Sequence, residues 1–182
     1  MRSYEPAGVA RQLAAVIANG DRRAKLATIK APVVVLHGDA DPLVLTECLT
    51  SILQLERAAA LPFMQGLLNP SDEVRADAAA LALGQSRLTE AIPLLCEYAE
   101  LPPRLKRRTA LVALAMLREP AATEYLLAIV REGELRQAVL AIEALGVHRY
   151  DAALHKRVAA VVAARGTPAL LDALARVSGT DA

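Results

Sequence analysis

The sequence predicts a mostly α fold, an α-solenoid of antiparallel helix pairs over residues 45–182, and three observations point to it. After residue 45 no segment alternates or gathers β-branched residues as a strand does, whereas helix start and stop signals recur. Ala, Leu and Val supply most of the apolar residues, while Phe occurs once and Trp never, a composition suited to thin, closely packed helices rather than a β-sandwich. Arg75, Arg107 and Arg136 open similar helical segments and stand 32 and 29 residues apart, the period of a two-helix repeat. One such pair cannot bury its apolar face alone, so it stacks on its neighbours.

The elements follow in chain order. Pro6 opens a helix over residues 7–19, with Val9, Leu13, Val16 and Ile17 on one side and Gly20 at its end. Residues 32–36 hold a β-branched run, Val33 to Leu36, that reads as a strand buried on both faces, yet the chain offers it no partner strand. Pairing with a second copy would give a homodimer through 32–36, and helix 7–19 could cap the first repeat. The helical domain then begins with TECLTSILQL and ERAAALPFMQGLL. Ser71 is placed as the N-cap of DEVRADAAALAL and Gly84 as its terminating glycine. Thr89 opens EAIPLLCEYAE, which tolerates Pro93 in its first turn and stops at Pro102-Pro103. RLKRRTALVALAM follows, and then Pro120 starts a helix that ends at Gly133. In ELRQAVLAIEAL, one apolar face holds Leu135, Ala138, Val139, Ile142 and Leu145 before Gly146. Asp151 caps a helix that ends at Gly166, and Thr167-Pro168 begins the last one.

The stretch AALPFMQGLLNPSDEVRADAAALALG, with AIPLLCEYAE behind it, resembles HEAT repeats, in particular the short repeats of the phycobilisome-lyase type. The resemblance spans residues 45–182, about three and a half repeats. LREPAATEYLLAIV departs from it by lacking the usual loop glycine. The family shares a shape and not a reaction, so the resemblance implies a binding scaffold, with a bilin-lyase-like helper as a narrower possibility.

Residues 1–44 form a separate part. RQLAAVIANGDRRAKLATIKAPVVVLHGDADPLV resembles the acid-loop region of α/β-hydrolases, which by that match makes Asp41 the catalytic acid and places His37 and Gly38 at the strand end. An acid of this kind orients and stabilises a histidine and does nothing alone. No G-x-S-x-G elbow occurs, and the first histidine after His37 is His148, inside the repeats. The fragment therefore points away from an enzyme, unless Asp41 contributes in trans to a hydrolase completed by another chain.

A net charge of +1 gives no field towards nucleic acid or membrane, no run reaches spanning length, and no signal peptide is evident, so a cytoplasmic protein is expected. Cys48 and Cys96 fall within apolar stripes and read as buried thiols. His148, Asp151 and His155 stand at metal-ligand spacing, but Asp151 is better explained as a helix cap, so neither metal nor cofactor is expected. Arg104, Lys106, Arg107 and Arg108 form the densest basic patch, but scarce aromatics and a nearly neutral helical part disfavour nucleic acid. The expected function is a non-enzymatic protein-interaction scaffold whose second helices, including residues 90–100 and 121–131, line a concave face, with Tyr98 and Tyr125 as contact residues.

Overall fold

A computed structural model describes residues 42–102, 108–148 and 150–179. Helix 7–19, strand 32–36, His37, Gly38, Asp41, Arg104, Lys106 and Arg107 lie outside the described residues.

The described chain is an all-α solenoid of antiparallel helix pairs, with no strand among the described residues. Helix α1 spans Pro42–Glu56 and leads through a 3₁₀ turn, Arg57–Ala60, into α2, Leu61–Leu67. Then follow α3 (Glu73–Ser86), α4 (Ala91–Glu100), α5 (described from Arg108 to Leu117), α6 (Pro120–Glu132) and α7 (Leu135–Leu145). A second 3₁₀ turn, Gly146–His148, precedes α8 (Ala152–Arg165) and α9 (Pro168–Ser178). The odd-numbered helices pack in sequence, α1 on α3, α3 on α5, α5 on α7 and α7 on α9, and form one layer. The even-numbered helices form the second layer, in which α6 packs on α8.

Small side chains let the first layer close up. Ala76, Ala79, Ala80 and Leu83 of α3 are sealed against α5, whose Ala110, Ala113 and Leu114 are equally buried. Dispersion between such surfaces needs close approach, which alanine permits at little cost in side-chain entropy. Gly84 carries this furthest, because a Cβ there would stand 2.7 Å from both Cα and O of Ala113. The expected terminating glycine is thus a packing glycine inside α3, and the helix runs on to Ser86. Gly146 plays a similar part against Val177 of α9.

Several caps stand where the sequence places them. The Asp151 carboxylate accepts the N–H groups of Ala153 and Leu154 at 3.0 Å, Pro120 and Pro168 occupy first-turn positions, and Gly133 and Gly166 follow α6 and α8. At α3 the cap moves by one residue: Asp72, not Ser71, accepts the Arg75 N–H, and the Ser71 hydroxyl donates to Asn69 instead. Two faces are also rotated from expectation. Leu135 is 41% exposed while Gln137 is buried, and Cys48 is exposed while Thr46, Leu49, Thr50 and Leu53 face inward. A layered helix touches neighbours on more than one side, so the widest apolar stripe need not be the buried one.

Candidate functional site

Polar ties stitch the second layer. Tyr125 Oη donates to Glu100 Oε1 at 2.8 Å, joining α6 to α4, and Arg157 pairs with Glu124, joining α8 to α6. Arg165 donates to the Val130 and Gly133 carbonyls at 2.8 and 2.7 Å, so a guanidinium closes the C-terminal end of α6. Tyr125 is half-buried, and its phenol therefore spans two repeats at the surface.

Tyr98 differs from expectation. At 1% exposure it is the largest fully buried side chain among the described residues, so it belongs to the core and presents nothing to a partner. The cause lies in α4, whose inward face also holds Ala91, Leu95 and Ala99, leaving room for one ring among small neighbours. Arg108, the described member of the basic patch, is exposed but paired with Glu143 at 3.4 Å.

Cys96, on the same helix, is only partly buried, and burial together with the nearby Glu100 carboxylate pushes its thiol up to about 11. At neutral pH it is protonated and a poor nucleophile. The histidines are occupied as well. His148 Nε2 lies 2.7 Å from the Ala115 carbonyl, so that nitrogen donates, and it fixes the turn after α7 to the end of α5. His155 Nε2 meets Ser178 Oγ at 3.3 Å, and Asp151 is committed to its cap. Among the described residues no three His, Cys, Asp or Glu side chains gather as a metal site would require.

The surface feature that spacing arguments miss lies on the turn edge. Arg118, Thr123, Val147, His148, Tyr150, Asp151 and Leu154 line a groove of about 300 Å³ between the turn after α5 and the turn after α7. Tyr150 is 87% exposed and Val147 47% exposed, so an aromatic and an aliphatic side chain stand in solvent beside a guanidinium. The signal was the dipeptide Arg149-Tyr150 in a loop, whereas helical periodicity directs attention to helix faces.

A family model described as HEAT repeats matches residues 62–146, from α2 to the turn after α7. This helical stretch is HEAT-like. No curated protein and no solved structure matches the chain. The HEAT-like stretch includes the α5–α6 side of the groove, and its last residues lead into the turn that bears Tyr150. No helix among the described residues is long and apolar enough to cross a membrane.

Proposed function

We propose that the chain is a non-enzymatic protein-interaction scaffold that receives its partner on the turn edge of the HEAT-like stack. The carrying observation is the exposure of Tyr150 beside Val147 in a groove bordered by Arg118. Tyrosine and arginine are the residue types that most often dominate binding energy, since each offers a large rigid contact and hydrogen bonds at modest entropic cost. HEAT-like stacking supports the reading because repeats extend a surface without building a reaction centre. Second-layer residues such as Tyr125 would then border the interface rather than form its centre, because that phenol already serves a contact with Glu100.

The test is affinity capture with the full chain, compared with Val147→Ser/Tyr150→Ala. A stoichiometric partner held by the native chain and lost by the double variant, with helical content unchanged, is the expected outcome. Equal capture by both chains would remove the groove from the function.

A further inference from the structure

Among the described residues, three that are not glycine have positive φ, and all three are arginines: Arg57 at 50°, Arg87 at 54° and Arg118 at 59°. They stand 30 and 31 residues apart, one repeat each, and each directly follows a first-layer helix, α1, α3 or α5. The sequence continues the column with Arg149, 31 residues further, outside the described residues, and then with Gly179, which follows α9 at φ 67°. Glycine is the ordinary occupant of this left-handed position, and this chain uses it there after α8 and α9. An arginine in the same conformation is disfavoured by its Cβ, and only part of that is offset by a cation's attraction to the helix C-terminus. Backbone requirements therefore do not explain why the same side chain recurs at three successive turns.

All three arginines are exposed. Among the described residues none forms an ion pair, although Glu56, Glu90 and Glu119 occupy the same turns. Because the pairs are antiparallel, α1, α3 and α5 all end on one side of the stack, so the three arginine positions form a row along the turns, and the last of them, Arg118, borders the groove. Neighbouring helices pack about 10 Å apart, which sets the step of the row. A peptide in the polyproline II conformation advances about 3.1 Å per residue and returns every third side chain to the same face, so about three residues span one step.

We infer that this row binds an acidic segment of a partner protein held in the extended polyproline II conformation, with carboxylates at roughly every third residue and an apolar residue entering the groove at Val147 and Tyr150. Guanidinium suits this role through its paired donors, which fit a carboxylate with two parallel hydrogen bonds. Nucleic acid would also meet arginines, but the nearly neutral chain and the absence of any aromatic in residues 52–62 or 82–92 of the sequence favour the acidic peptide. The inference rests on the scaffold reading and adds the partner's chemistry and direction.

The experiment is fluorescence anisotropy on the full chain, with a labelled peptide of about twelve residues repeating Glu-Ser-Thr and ending in Leu-Leu. Comparison chains are the triple variant Arg57→Gln/Arg87→Gln/Arg118→Gln and, to keep the left-handed turns unstrained, the same positions changed to Gly. The expected result is saturable binding, weakened about tenfold or more by either triple change, and weakened also for the native chain in about 0.5 M salt. No binding to the native chain, or equal binding by the triple variants, would overturn the inference. Tighter binding of an oligothymidylate of similar length would overturn it in favour of nucleic acid. The two readings fail separately: a partner captured equally by the triple variants but lost with Val147→Ser/Tyr150→Ala would leave the scaffold reading standing and remove only the row.

Discussion

Gly84 and Arg87 stand three residues apart at the end of α3 and invert the usual assignment of their residue types. Gly84 has ordinary helical backbone and no room for a methyl group, since Ala113 lies against its Cα. Arg87 has the backbone that glycine favours, and its side chain is in solvent. The difference separates two regions: a seam between first-layer helices, where side-chain volume decides what fits, and a turn edge just beyond it, where volume is unconstrained and the side chain is available to a partner. Substitutions should therefore affect stability along the seam and in the core behind it, and binding along the edge.

The largest effect is expected in the core behind the seam. Tyr98→Ala removes a ring that is 1% exposed and should cost about 3–5 kcal/mol, measured as a shift in the urea midpoint without a change in slope. An unchanged midpoint would mean that the ring is not packed as described. Gly84→Ala is a sharper test, because alanine favours the helix by about 1 kcal/mol while the Ala113 backbone leaves its methyl no space. Overpacking should prevail and give a net loss of about 1–2 kcal/mol, whereas a stabilised protein would show that the seam opens easily.

The edge should respond in the opposite direction. Arg87→Gly relieves a left-handed backbone at an exposed site and is expected to raise stability by about 0.5–1 kcal/mol, read as a small rise in Tm. Gly166→Ala supplies the control: nothing lies within 4 Å of its Cβ position, so its expected loss of about 1 kcal/mol comes from φ alone. The smallest effect is chemical rather than energetic. Cys48 is exposed, whereas the thiol of Cys96 is raised to about 11, so near pH 8 alkylation should label Cys48 first. A pKa raised in the folded state means that its contribution to stability is fully present below the unfolded thiol range and is lost as pH climbs from about 8.5 towards 11. Equal labelling rates at the two cysteines would contradict the burial of Cys96.

Much of the fold was legible because its signals are local. Asp151, Pro120, Gly133, Gly166 and Pro168 act through the backbone of their own turn, and a two-helix period needs only the chain to count. What failed depends on neighbours. Whether Gly84 ends a helix or admits one, whether Tyr98 points in or out, and which side of α7 holds Leu135 are set by helices one repeat away. The candidate surface was hidden for a related reason. Arg75 and Arg136 stand in the first turns of α3 and α7, and with Arg107 their spacing in the sequence reveals the period, but the column with left-handed backbone is Arg57, Arg87 and Arg118, which marks helix ends. Its spacing was readable, but the left-handed backbone that sets it apart was not. The absence of a loop glycine at Arg118 was its one visible trace in sequence.

The most direct test of a partner seated on the turn edge is photocrosslinking in the source cells, with a photoreactive phenylalanine derivative placed at Tyr150, which is in the groove, or at Ala163, which is exposed on α8 away from it. One protein crosslinked in high yield from position 150 and absent from position 163 is the expected result. Crosslinks from position 163 with none from position 150 would contradict it and move the interface to the second layer.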